Sequence, residues 1–160
     1  LWGYSYKLKK VTLIGNVVVA LCGGLAFIYG AVAVAGYKHG IFPALFAFLI
    51  HLSREIIKDV EDMPGDQTAR ARTLPLVIGE KHSLQVAAVP IMMLLVLTII
   101  PHSLGLYGMN YLRLVILTVD FPLLALIYFL IVRRESVRLR HVSHALKALM
   151  VLGLGALFFG

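Results

Sequence analysis

His51, Glu55, Asp59 and Asp62 follow one another at intervals of four, four and three residues, the spacing that brings side chains onto one face of an α-helix. Three of them are carboxylates, and Arg54 and Lys58 form a basic stripe beside them. Opposite charges flanking each other in this way suit a metal-bound phosphate. Pro64 is expected to stop the helix. Met63-Pro64-Gly65-Asp66 reads as a tight turn, with proline supplying a fixed φ and glycine a permissive one, and such a turn returns Asp66 toward Asp62. Asp59, Asp62 and Asp66 then make a set of oxygen donors suited to Mg²⁺, a hard ion that shares its ligands with phosphate. No cysteine and histidine set of the kind zinc takes accompanies them. By spacing alone, the same run reads equally well as a charged loop with ion pairs on a helix surface.

The elements that must carry this face are apolar. Hydrophobic residues make up 60% of the 160-residue chain and charged residues 14%, against roughly 45–50% and about 25% in soluble domains. The apolar residues fall in long, nearly uncharged blocks, the pattern of helices that cross a hydrocarbon core of about 30 Å. Five are expected: Val11 to Gly36, a second from Ile41 into the charged stretch Arg54 to Asp66, then Ser83 to Pro101, Tyr111 to Val132, and Leu146 to Phe159. Tyr37 to Gly40 reads as a short turn between the first two, and Arg133 to Lys147 as a basic connection into the last. The fold class is therefore all-α, a polytopic transmembrane bundle with no separate soluble domain. Cys22 has no partner, so no disulfide framework is expected.

The second span is short of charge-free residues, since Ile41 to Ser53 falls well below the about 20 that a crossing needs. Its helix is expected to continue through Asp59, with the charged turns at the membrane surface facing a watery cavity, because a charge against lipid at the bilayer centre costs roughly 2.5–3.5 kcal/mol. Net charge is +7. Of the 15 Lys and Arg residues, all but Lys38 and Arg113 fall on one side of this five-span arrangement, which orients that side to the cytoplasm. Membrane orientation thus accounts for the basic residues without nucleic acid, and a plasma-membrane protein with the Arg54 to Ser83 loop in the cytoplasm is expected. The chain starts at Leu1 directly before Lys7, Lys9 and Lys10, the look of a fragment.

The run Arg54-Glu55-Ile56-Ile57-Lys58-Asp59-Val60-Glu61-Asp62-Met63-Pro64-Gly65-Asp66, followed by Thr73-Leu74-Pro75 and Gly79, resembles the second aspartate-rich motif of the UbiA superfamily of prenyltransferases. It is most similar to the branch with the motif REIxKDxEDxxGD, then TLP and a glycine, which moves a geranylgeranyl group onto a glycerol-phosphate lipid in ether-lipid synthesis. The resemblance implies that Mg²⁺ holds a prenyl diphosphate between two acidic clusters, that the diphosphate leaves, and that an acceptor captures the allylic cation. Asp59, Asp62 and Asp66 would bind the metal, Lys58 would join them in catalysis, and Arg54, Arg70 and Arg72 would hold phosphate oxygens. Tyr4 and Lys9 match the family's tyrosine-to-lysine motif before the first span and would contact diphosphate or shield the cation.

Asn16, polar in an apolar span, is expected to face the cavity and bind substrate, or to hydrogen-bond a neighbouring helix. Asp120, deep in the fourth span beside Pro122, is expected to have a structural role. Two features depart from the family pattern. Its other cluster, NDxxDxxxD, does not occur, so half of the metal site would come from sequence upstream of Leu1, and Pro64 is unusual within the motif.

The alternatives are an aromatic acceptor, as in quinone synthesis, and a channel or carrier subunit. A channel would explain Asp120 but not the carboxylates clustered beside Lys58. A CDP-alcohol phosphotransferase finds only an echo in Asp66-Gln67-Thr68-Ala69-Arg70, because no aspartate lies between Gly79 and Asp120.

Overall fold

The computed structural model describes residues 13–34, 37–132 and 139–159, with the backbone alone for residues 37–39. The elements are α1 (Ile14–Ala33), α2 (Tyr37–Glu61), α3 (Met63–Thr68), α4 (Leu74–Ile78), α5 (Glu80–Leu97), α6 (Ile100–Ser103), α7 (Met109–Val115), a π-helical turn (Ile116–Asp120), α8 (Phe121–Ile131) and α9 (Leu139–Phe159). No strand occurs among the described residues. Five segments are long and apolar enough to cross a membrane: Ile14–Ala33, Gly40–Glu61, Glu80–Ser103, Met109–Ile131 and Leu139–Phe159. That is the expected number and order; the third and fourth spans differ by one to three residues at their ends, and two other boundaries differ in kind. Tyr37 to Gly40 is the first turn of α2 rather than a loop. The fifth span begins at Leu139, so Arg140, His144 and Lys147 belong to its opening turns rather than to a connection.

α2 is the central helix, packed against α1, α5 and α9. Between helices in lipid the hydrophobic effect offers little, because tails and side chains are equally apolar, so close packing and hydrogen bonds must hold the bundle. The α1–α2 seam shows how. A Cβ on Gly24 would stand 2.8 Å from the carbonyl oxygen of Ala44, and one on Gly40 would stand 2.5 Å from the Cβ of Ala31. Only glycine allows that approach. On the other side of α2, Ser53 Oγ donates to the carbonyl of Ala87 in α5 at 2.6 Å. Ile56, Ile57, Leu84, Ile91 and Leu146 are buried around it, where many small dispersion contacts add up.

Asp120 bonds a neighbouring span, the contact that the expected structural role requires. It is only 7% exposed, and Thr98 Oγ1 lies 3.1 and 3.2 Å from its two carboxylate oxygens. Tyr111 donates its hydroxyl to the carbonyl of Thr98 at 2.8 Å. These bonds tie the end of the third span to the fourth, at the π-helical turn that closes on Asp120.

Candidate functional site

The acidic face forms where α2 leaves the bundle. The backbone does not make the expected tight turn after Asp62. Asp62 donates its N–H to the carbonyl of Lys58 at 2.9 Å, and Asp66 donates its N–H to the carbonyl of Asp62 at 3.0 Å. Met63-Pro64-Gly65-Asp66 is therefore the first part of α3, with Pro64 in its opening turn. Proline belongs there as readily as after a helix, because the first N–H groups of a helix have no intrahelical partner and the ring's φ is already helical. Asp66 still comes close to Asp62, by one helical turn instead of a reversal.

Asp59 and Asp66 are half-buried and Asp62 is exposed. Asp66, Glu55 and Asp62 each stand near enough to Asp59 to repel its charge. Among the described residues, no lysine or arginine forms an ion pair with Asp59, Asp62 or Asp66. Asp59 instead accepts a hydrogen bond from Asn16 Nδ2 in α1 at 2.8 Å. Of the two roles open to Asn16, the structure thus displays the interhelical hydrogen bond.

The basic residues separate. Arg54, half-buried, forms an ion pair with Glu55, and its Nε is buried without a partner among the described residues. Lys58 is exposed next to Asp59. Arg70 and Arg72 are exposed in the loop between α3 and α4, where Arg70 takes a left-handed φ of 51° and so ends α3 in the manner usually left to glycine. The chain then forms α4, with Leu74 and Pro75 buried and the helix packed on α2 and α5. Gly79, at φ 83°, makes the joint with α5. The Thr73-Leu74-Pro75 and Gly79 pattern therefore has a local reason: it builds an elbow that anchors the acidic loop. Tyr4 and Lys9 lie outside the described residues.

No group of three His, Cys, Asp or Glu side chains among the described residues converges on a point where one ion could touch all three. The chemistry of the donors still fits Mg²⁺, which keeps several waters and takes one or two carboxylates together with substrate phosphates. Three carboxylates on successive turns, two of them repelling the charge of Asp59 and none with a paired cation among the described residues, form such a partial ligand set.

Two features escaped the sequence. His51 does not stand on an open acidic face: its ring lies over Gly23, whose Cβ, if present, would be 2.5 Å from Cδ2 of the imidazole. Its Nδ1 is buried with no partner among the described residues. Gly23 was the only available signal, and nothing local connects it with His51. The second feature is a partly open apolar cavity of about 60 Å³ between the spans, lined by Phe27, Ile50, Leu94, Val119, Leu149 and Leu154 among others. Ile50 precedes Asp59 by nine residues, roughly 14 Å along the helix, so the cavity lies deeper in the bundle than the carboxylates.

The pattern of the UbiA prenyltransferase family matches residues 1–158. The chain is 39% identical over 147 residues to a Thermococcus kodakarensis protein named digeranylgeranylglyceryl phosphate synthase, a match that covers 92% of this chain and 50% of that protein. Proteins of the same name from Methanopyrus kandleri and Pyrococcus horikoshii are 41% and 40% identical; the matches cover 78% and 72% of this chain and 46% and 42% of those proteins. A solved structure described as giving insights into "the biosynthesis of Digeranylgeranylglyceryl phosphate synthase in membranes" matches 99% of the chain and 56% of its own, with a TM-score of 0.85 at 30% identity. The chain spans about half the length of the curated relatives it matches.

Proposed function

Since the chain belongs to the UbiA prenyltransferase family, we propose that it is the C-terminal portion of a membrane enzyme that transfers a geranylgeranyl group from its diphosphate to the free hydroxyl of a prenylated glycerol phosphate. The observation that carries this reading is the line of Asp59, Asp62 and Asp66 at the end of α2, with an apolar cavity deeper in the same bundle. A diphosphate head and an isoprenoid tail require those two environments, one above the other. The names of the relatives supply the acceptor class.

In the reaction, the bond between the allylic carbon and the diphosphate oxygen breaks, the acceptor hydroxyl oxygen bonds to that carbon, and the hydroxyl proton is lost. Asp59, Asp62 and Asp66 would offer one or two carboxylates at a time to Mg²⁺, which when bound would neutralise the charge growing on the leaving diphosphate. Lys58, exposed beside them, meets phosphate oxygens as a point charge, and Arg70 and Arg72 reach the same side from the loop. Arg54 is oriented by Glu55 and contributes from within the bundle. Tyr4 and Lys9 are assigned to the diphosphate by their match to the family motif. The apolar walls around the prenyl chain exclude water, which would otherwise capture the cation before the acceptor does. The excess of Lys and Arg on this end supports its facing the cytoplasm, and we assign the protein to the plasma membrane.

The test supplies full-length protein with geranylgeranyl diphosphate, Mg²⁺ and either geranylgeranylglyceryl phosphate or aromatic acceptors, with products identified by mass. A diether phosphate as the main product is expected. Preferential prenylation of an aromatic ring would leave the family standing and remove the acceptor assignment.

A further inference from the structure

We infer that Asn16 is a positioning residue that holds the Asp59 carboxylate in the orientation in which it receives the divalent cation. The inference rests on the functional reading above and assigns Asn16 a role in it other than substrate contact. Asn16 stands in the first turn of α1, where asparagine commonly bonds its own backbone. Its amide instead crosses to a residue 43 positions away and donates to Asp59 Oδ2 at 2.8 Å. That occupies one carboxylate oxygen and leaves Oδ1 for a metal ion.

The geometry comes from the whole helix pair. α1 and α2 run antiparallel in close contact, with Gly40 against Ala31, Gly24 against Ala44 and Gly23 under His51. Asn16 and Asp59 lie at the end of the same seam. Helices that touch along this line can slide little, so the short asparagine side chain reaches its target at a fixed height. A longer, flexible donor would not set the rotamer so narrowly.

The chemistry of the donor matters as well. Asp59 stands among Glu55, Asp62 and Asp66, a gathering of negative charge that attracts a cation. An arginine or lysine in place of Asn16 would orient the carboxylate but cancel the attraction. A neutral amide orients it and leaves the charge in place. Partners of this kind around metal ligands typically change metal affinity 10–100-fold when removed.

The test is a Mn²⁺ titration of purified full-length protein with inorganic diphosphate, read by electron paramagnetic resonance, beside the Mg²⁺ dependence of prenyl transfer. Asn16→Ala, which favours the helix, is expected to weaken Mn²⁺ binding about 10–100-fold and to raise half-saturating Mg²⁺ by a similar factor. Asn16→Ser, too short to reach Asp59, is expected to behave like it, and Asn16→Gln, which keeps the amide on a longer and more flexible stem, is expected to recover only part of the loss. In an Asp59→Asn background the Asn16→Ala effect is expected to vanish. Wild-type Mn²⁺ affinity in both Asn16→Ala and Asn16→Ser, with only the unfolding temperature lowered, would reduce the bond to a helix tie and overturn the inference. So would an undiminished effect in the Asp59→Asn background. Absence of prenyl transfer in the wild type removes the functional reading instead, while the Mn²⁺ titration still decides the role of Asn16.

Discussion

Asp59 and Asp120 both lie within membrane-spanning segments, yet their surroundings differ in kind. Asp120 is enclosed, shares a hydrogen bond with Thr98, and is backed by Tyr111. Asp59 is half-buried at a helix end, has one neutral donor among the described residues, and faces like charges from three neighbouring carboxylates. A buried acid with satisfied oxygens and no like-charged neighbour is a structural tie. Acids gathered without a paired cation lower the stability of the bundle, and a bound cation would offset that. Within this membrane protein, the grouping of ionisable residues therefore separates chemistry from packing better than their depth does.

The sharpest way to break this contrast is to remove the charges on one side of it. In full-length protein, Asp62→Ala and Asp66→Ala are each expected to lower turnover at least about a hundredfold, since the charge stabilisation they support amounts to several kcal/mol. Insertion should stay near the wild type, and the unfolding temperature without Mg²⁺ should stay at or slightly above it. Near-normal activity in either variant at saturating Mg²⁺ would make this segment an ordinary charged loop.

Asp120→Ala is the counterpart, and its effect should fall on stability. Interhelical hydrogen bonds in membranes average about 0.6 kcal/mol and reach about 1.7. Thr98 Oγ1 also lies 2.8 Å from the carbonyl of Leu95, so its proton keeps an acceptor, and a loss of about 1 kcal/mol is expected. Unfolding in detergent measures it, with activity per folded molecule unchanged. A hundredfold loss of turnover at full stability would move Asp120 to the functional side of the comparison.

Tyr111→Phe sharpens the same comparison with a smaller effect. The ring is fully buried and stays in place, so only the bond to the Thr98 carbonyl is lost, an expected cost of about 0.5 kcal/mol. Combined with Asp120→Ala, the two losses should fall short of adding, because both partners act through Thr98.

The five spans, their order and the acidic spacing could be read directly from the sequence, because apolar length and charge position are properties of each segment by itself. The elbow of Thr73-Leu74-Pro75 and Gly79 is equally local, since a positive φ at its end calls for glycine. Proline 64 was locally ambiguous, as the residue both ends helices and begins them; the path through Asp62 into α3 resolved it. Other features depend on which helices become neighbours. Asn16 meets Asp59 across 43 residues, His51 finds Gly23 beneath its ring, and five separate spans contribute walls to one cavity. A pattern along one helix states which face a side chain occupies, but only the packing of a second helix decides what that face meets.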